Sequence, residues 1–318
     1  MTSHMAREIA EIPAACARLL SGPADEAIRA AAAEWRALDP PLLVTVGRGS
    51  SDHAATYLSY ACGIVSGVIP ASYPLSLASL HRQEPRAAGA AALAISQSGS
   101  SPDIVAAATA MRDGGASLLV LTNTAGSPLA RTSEQVIDIG ARPERAVAAT
   151  KSYVASVVAG LRVIGMWHEA TELLDATERL PDALADALTR RTDGIAEVLG
   201  TTDRLIVVGR GPSLGVAQEL ALKSMELCQT TALAFSSAEI RHGPMQALHG
   251  DYPVLDLERG DPLPGTRTLH PPERPSLHPL VDPLLDLAPI YVALEAAARA
   301  RGLDPDAPSR LTKETATT

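Results

Sequence analysis

Two stretches of this sequence, VTVGRGSS at 44–51 and IVVGRGPS at 206–213, share one order: an apolar run, Gly-Arg-Gly, then Ser. An apolar run that stops at glycine and feeds a helical pattern is the opening of an α/β unit. Its recurrence implies an internal duplication. Each copy must then build a mostly parallel sheet covered by helices on both faces. A length of 318 residues suits two domains, since domains typically hold about 100–150 residues.

The first copy is the fuller one. Residues 1–40 read as N-terminal helices, with Pro23 placed to open the second of them. The first α/β domain is placed at 41–165. Its strands are expected at Leu42–Val46, Ile69–Tyr73, 92–96, Ser117–Thr122 and Gln135–Ile139, with helices at His53–Val65, near Ser76–Leu80 and at 103–113. Ala148 to about Leu199 is helical, and 166–200 reads as a linker. The second domain, 201–303, opens with Leu205–Val208 and a helix at Leu214–Cys228, then strands at Thr231–Phe235 and Val254–Leu257. There the parallel fails. The Pro-rich GDPLPGTRTLHPPERP comes almost at once, so one strand–helix unit, or two, is missing. A lost strand exposes apolar surface at about 25 cal/mol per Å², so the remaining elements repack or a second copy covers the gap. An amphipathic helix is expected at 279–301, and 304–318 forms a polar tail.

Composition narrows the function classes. The net charge is −9 and there is no basic stripe, which argues against a nucleic-acid partner. No apolar stretch is long enough to span a membrane, and MTSHMAREIAEIP lacks the apolar core of a secretion signal. Cys16, Cys62 and Cys228 are far apart and without metal-ligand spacing, as expected of reduced thiols in a cytoplasmic protein.

Three constellations could carry chemistry. The first is LAISQSGSSPD at 93–103, a buried strand ending in a hydroxyl-rich turn before a helix. Backbone N–H groups, Ser hydroxyls and a helix N-terminus there converge on one point, a natural phosphate site. Ser50 and Ser51 of the first turn join Ser96, Gln97, Ser98 and Ser101 of this one as candidates. A P-loop is excluded because no GxxxxGK[ST] occurs. A dinucleotide site is disfavoured, because both Gly-Arg-Gly turns lack the third glycine and no acidic residue closes a second strand. The second constellation is Glu219, Lys223 and Glu226, at i, i+4 and i+7 on one helical face, with Glu239 and His242 nearby. Spacing alone fits a solvated ion pair. The surrounding Ala, Leu, Met and Cys point instead to a partly buried face, where a carboxylate beside a lysine can be tuned for proton transfer. His242 lies in the turn Arg-His-Gly-Pro; a lone histidine in a turn is ordinarily structural or solvated. Lys313, in the polar tail, reads by itself as a surface lysine.

GRGSSDHA, AISQSGSSPD, AATKSY, ELALKSMEL, AEIRHGPM and APSRLTKE, taken together and in this order, resemble the double sugar-isomerase (SIS) domain family. Its nearest branches are the isomerase half of glucosamine-6-phosphate synthase and the SIS-type glucosamine-6-phosphate deaminases. The resemblance implies two tandem SIS domains, each a mostly parallel sheet in three αβα layers, the second shortened here. It implies that Ser51, Ser96, Gln97, Ser98 and Ser101 hold a sugar phosphate, and that Glu226 moves a proton between C1 and C2. His242, usually supplied by a neighbouring subunit, opens the sugar ring. Lys223 and the backbone at Ala148 and Ala149 line the site, and Lys313 in the tail covers it. The implied partners are a phosphosugar and a second copy of the chain in a homodimer. The implied activity is glucosamine-6-phosphate deamination, with no metal or redox cofactor, because the C1 carbonyl acidifies the C2 proton. Another SIS phosphosugar isomerase or deglycase, an aminotransferase-type isomerase, and a phosphosugar sensor without turnover are the alternatives. Met1 is followed by Thr2 rather than a cysteine, so no glutaminase half is expected. The chain departs from the pattern at Ser100-Ser101, where Glu-Thr is common, at Arg241, where the synthase has Lys, and after Leu257.

Overall fold

The structure is a computed structural model and describes residues 2–313; Met1 and the last five residues, 314–318, of the tail expected at 304–318 lie outside the described residues. In chain order the elements are α1 His4–Ala10, α2 Ile12–Ala17, α3 Gly22–Leu38, β1 Leu42–Val46, α4 Ser50–Ser66, β2 Ile69–Ser72, α5 Ser76–Ser79, β3 Ala91–Ser96, α6 Pro102–Asp113, β4 Ser117–Thr122 and β5 Gln135–Asp138. Then come α7 Lys151–Trp167, α8 Thr171–Ala187, α9 Asp193–Thr201, β6 Arg204–Gly209, α10 Pro212–Cys228, β7 Thr231–Ser236, β8 Tyr252–Asp256, β9 Thr266–Leu269 and α11 Asp282–Ala300. The chain divides into two compact units. The first comprises Ala14–Glu144 and Lys151–Pro181; the second comprises 2–13, Arg145–Thr150 and Asp182–Lys313.

The first unit holds a five-stranded sheet in the order β2-β1-β3-β4-β5, parallel throughout. Side chains alternate across the pleat. Val44, Val46, Ala92, Ala94, Leu118 and Val120 face α6, whose Ile104, Ala107, Ala108 and Met111 close that core. The opposite face packs against α4 and α7. Helix α7 is buried almost all round, from Lys151 to Gly165, and this fits a helix enclosed by sheet and other helices rather than one at the surface. Its Arg162 is 2% exposed and donates to Asp25 Oδ1 at 2.8 Å and Thr177 Oγ1 at 3.0 Å.

The second unit holds a four-stranded parallel sheet, β7-β6-β8-β9. The two sheets share a register. Leu42 pairs with Ile69 as Arg204 pairs with Thr231, and Val46 pairs with Ala94 as Val208 pairs with Asp256. One strand fewer than in the first sheet is therefore present. The helix that would match α6 is replaced by the segment 257–265, which carries the chain from β8 to β9. Leu263 from this segment, with Ile240 and Leu248, packs on Ile206, Val208 and Val254. The remaining elements thus repack over part of the face.

Two expectations need correction. Residues 5–22 do not form one helix: α1 ends at Ala10, α2 restarts at Ile12, and Arg18–Leu20 is a 3-10 turn. Pro13 brings no backbone N–H, so the ladder lacks the bond it would make back to Ile9, across the break at Glu11. Helix α11 is not amphipathic. Asp282–Tyr291 and most residues from there to Ala298 are buried, because α9, α10 and α1 surround the helix. Its acidic residues are accommodated by pairing: Arg274 forms a two-pronged bond to Asp286 at 2.9 and 2.8 Å and reaches Asp282 at 3.2 Å. This pins the Pro-rich segment 271–280 onto α11.

Candidate active site

The sequence-predicted residues fall into two groups, one in each unit. In the first unit, the chain runs from β1 outward to β2 and then returns to place β3 on the other side of β1. That reversal makes the carboxyl ends of β1 and β3 the topological switch point, where open α/β sheets bind ligands. The turns holding Ser50–Ser51 and Ser96–Ser101 flank it. Gly49 (φ 53°) and Gly99 (φ 62°) adopt backbone conformations that L side chains rarely take. At Gly99 a Cβ would lie 2.1 Å from Ser127 Oγ. The second turn is shaped from within. Gly99 N–H donates to Ser96 Oγ at 3.1 Å, and Ser100 N–H donates to Ser98 Oγ at 3.2 Å. Both oxygens act as acceptors here, which leaves each O–H to donate outward. Asn123 N–H and Leu129 N–H fix the Gln97 and Gly99 carbonyls at 3.1 and 3.0 Å. Ser101 is the N-cap residue of α6 and makes no side-chain capping bond. A helix of this length presents its N-terminal N–H groups and dipole to an anion.

Arg48 is the residue that sequence reasoning passed over. Its Nε donates to Asp103 Oδ2 at 2.6 Å, and Asp103 is 2% exposed. The pair ties the first turn to the second and adds the cation that a hydroxyl-and-amide cradle lacks. The signal was the arginine inside both Gly-Arg-Gly turns.

In the second unit, α10 brings Glu219, Lys223 and Glu226 onto one face. Lys223 Nζ lies 3.3 Å from Glu219 Oε1 and donates to Glu226 Oε2 at 2.7 Å. Side-chain exposures are 1% for Lys223, 0% for Glu219 and 20% for Glu226. Tyr291 Oη of α11 donates to Glu219 Oε1 at 3.2 Å. Burial disfavours the lysine charge, but the two carboxylates outweigh it and hold the ammonium above the ordinary lysine range. Lys223 therefore stays charged, and Glu226 is the more accessible of its two carboxylates. The shared register sets Tyr57, Ala61 and Ile64 of α4 at the places of Glu219, Lys223 and Glu226. Tyr57 and Ala61 are fully buried, and Ile64 is exposed. Only one of the two corresponding helix faces is charged.

Ala148 and Ala149 lie in the segment Arg145–Thr150 of the second unit. Glu8 accepts the Arg145 and Ala146 N–H groups, and Val147 N–H donates to the Asp306 carbonyl at 3.0 Å. Lys313 Nζ donates to the Ala146 carbonyl at 2.7 Å. The structure thus brings Lys313 to the segment of Ala148 and Ala149 rather than leaving it as a free surface lysine. His242 ends a 3-10 turn, Glu239–His242, and is exposed, as is Glu239. No helix among the described residues is long and apolar enough to cross a membrane.

A family profile described as SIS domain matches residues 40–164. A solved structure named as a candidate phosphosugar isomerase, from Silicibacter pomeroyi DSS-3, is 41% identical with a TM-score of 0.89, over 96% of this chain and 100% of that one. The chain belongs to the SIS domain family. The profile covers β1 through most of α7, including both turns at the switch point. A glutamine–fructose-6-phosphate aminotransferase of Symbiobacterium thermophilum is 30% identical over 357 aligned residues, 97% of this chain and 58% of that protein. The chain thus spans about half the length of the curated SIS relatives it matches. A glucosamine-6-phosphate deaminase of Thermotoga maritima shares the fold at 19% identity, with a TM-score of 0.80 over 99% of this chain and all of that one.

Proposed function

We propose that this SIS family member is an enzyme of phosphorylated amino sugars, built of two tandem SIS domains with the second shortened. Its favoured reaction is hydrolytic deamination of glucosamine-6-phosphate to fructose-6-phosphate and ammonia. The observation that carries the reading is the buried ammonium of Lys223 bonded to the accessible Glu226 at 2.7 Å. That arrangement supplies a fixed carboxylate base beside a permanent positive charge. The kinship with aminotransferases of fructose-6-phosphate supports the substrate class.

The residues then take these roles. Ser50, Ser51, Ser96, Gln97, Ser98 and Ser101 donate to the phosphate, with Arg48 balancing its charge. His242 assists ring opening, in a homodimer where a neighbouring copy supplies it. The freed C1 aldehyde acidifies the C2–H bond. Glu226 takes that proton, the C–H electron pair forms the C1–C2 double bond of an enolamine, and the C1=O π pair moves onto O1, which takes a proton from solvent that the nitrogen gives back when the imine forms. Returning the proton to C1 leaves an imine at C2. Water adds to C2 and ammonia departs, giving the ketose. Lys223 holds Glu226 in place through their 2.7 Å bond. Lys313 covers the segment of Ala148 and Ala149.

The test is ammonia release from glucosamine-6-phosphate by the purified full-length chain. Stoichiometric ammonia and fructose-6-phosphate are expected. Isomerisation of another phosphosugar without ammonia would contradict the deaminase reading. The four-stranded second sheet favours a second reading, a phosphosugar sensor. Glu226→Ala separates the two: an enzyme keeps binding and loses turnover, whereas a sensor has no turnover to lose.

A further inference from the structure

In the second unit, where the segment 257–265 stands in place of a helix matching α6, this segment and the sheet line a cleft of about 440 Å³. Its floor is the sheet face of Val208 and Val254 with Ile240 and Leu263. In the first unit the corresponding face, at Val44, Val46 and Ala94, is sealed by α6. The cleft also lies at a switch point, because β6 has β7 on one side and β8 on the other. It has the size and the position of a ligand site in an open α/β sheet.

The polar groups at its mouth indicate what it would hold. Arg210 takes the place of Arg48 at the shared offset. Arg48 has its counter-ion on α6, in Asp103. The second unit has no such helix, and the Arg210 and Arg241 guanidinium groups have no hydrogen-bond or ion-pair partner among the described residues. Glu258, which also lines the cleft, occupies the register position of Ser96, so a carboxylate replaces a hydroxyl. Its Oε1 accepts the Arg210 backbone N–H at 3.2 Å. Asp256 is committed to the loop, accepting N–H bonds from Glu258 and Gly260 at 2.9 and 3.0 Å. Asp261 adds a further exposed carboxylate, and His242 lies on the same rim. A plain anion would meet these carboxylates, and a plain cation would meet the arginines.

We infer that this cleft binds a small zwitterion: its phosphate or carboxylate takes at Arg210 and Arg241 the place Asp103 has beside Arg48, and its ammonium faces Glu258. Two sources share that chemistry, an amino-sugar phosphate and an amino acid. The site stands whether or not the proposed reaction is correct.

Calorimetric titration of the full-length protein tests it, with glucosamine-6-phosphate and L-glutamate as the two zwitterions. Fructose-6-phosphate and glucosamine, each with charge of one sign only, serve as the controls, and all four are titrated in the Ser96→Ala/Ser98→Ala background as well as in wild type, so that binding at the β3–α6 turn is separated out. Arg210→Gln and Glu258→Gln are both exposed substitutions, and the second preserves the acceptor for the Arg210 N–H. The expected result is saturable binding of at least one zwitterion, weakened about tenfold or more by each substitution, as for a lost charge-assisted hydrogen bond. That binding persists in Ser96→Ala/Ser98→Ala, which distinguishes it from binding at the β3–α6 turn. In the Ser96→Ala/Ser98→Ala background, zwitterion binding that responds to only one of the two substitutions, or to neither, or that is matched by a control with charge of one sign, overturns the assignment.

Discussion

Replacing Lys223 with methionine isolates the charge on which the candidate site depends. The thioether has nearly the length of the lysine stem, so packing is kept while the ammonium is lost. Glu219, with a 0%-exposed side chain, then keeps its carboxylate in the interior without the cation 3.3 Å away. The Tyr291 hydroxyl still donates to it. Removing one member of a buried pair costs about 3–5 kcal/mol, because the other charge stays desolvated. The Glu226 bond adds less, since that side chain is 20% exposed. The double variant Lys223→Met/Glu219→Gln removes the stranded charge and recovers at least about half of the loss. Both tryptophans, Trp35 and Trp167, belong to the first unit, so their fluorescence does not report on α10. Urea unfolding should be followed by far-ultraviolet circular dichroism, together with hydrogen exchange of 212–228. The pH dependence has a definite sign. Because the folded Lys223 value lies above the ordinary 10.5, its contribution is complete below that pH and fades only as pH rises through the folded value. Wild type and Lys223→Met should therefore differ by a constant amount near neutrality and converge in strong alkali. A cost below about 1 kcal/mol, or a double variant no more stable than the single one, would refute the reasoning.

Other consequences can be measured separately. Gly99→Ala forces a side chain onto a φ of 62° and into Ser127; a loss of more than about 1 kcal/mol and of phosphosugar affinity is expected in denaturation and binding assays. Arg274→Met breaks the bonds to Asp286 and Asp282; a loss of about 3 kcal/mol should come with faster proteolysis within 257–280. Asp25 is pushed up by burial but pulled further down by its bonds to Arg162 and Arg29, so its carboxyl lies below the usual range. The stability it supplies is present above about pH 4 and lost as pH falls through the folded value, so an Arg162→Met variant should approach wild type in acid. Burial pushes the Cys16 thiol up to about 12 and Cys228 up to about 11, so neither should react with iodoacetamide at neutral pH until the chain is unfolded.

Much of the fold was legible because its signals are local. The strands β1, β3, β4, β6 and β8 are apolar runs cut off by glycine, serine or acidic turns, and each was expected within a residue or two of its observed bounds. The burial of Glu219 and Lys223 was legible from the apolar residues between them. Features set by long-range contacts were not. Arg48 and Asp103 are 55 residues apart, so the repeated Gly-Arg-Gly marks the arginine but nothing in the sequence marks its partner. Helix α11 carries Asp282, Asp286 and Glu295, which read as a solvated stripe until Arg274 and Ser3 are found to meet them. Strand β9, Thr-Arg-Thr-Leu, has little apolar character of its own and is fixed by pairing with β8. The tail lysine, Lys313, meets Ala146 across 167 residues, a contact that spacing cannot encode.

The central claim is that Glu226 moves a proton at the sugar's second carbon. Glucosamine-6-phosphate deuterated at C2 tests it most directly, with wild type and Glu226→Gln compared at matched substrate occupancy. The account predicts that wild type cleaves the C2–D bond, with deuterium appearing in solvent or at C1, while Glu226→Gln binds the substrate and is slower by about two to four powers of ten. Equal rates of C2–D cleavage in the two proteins would contradict it.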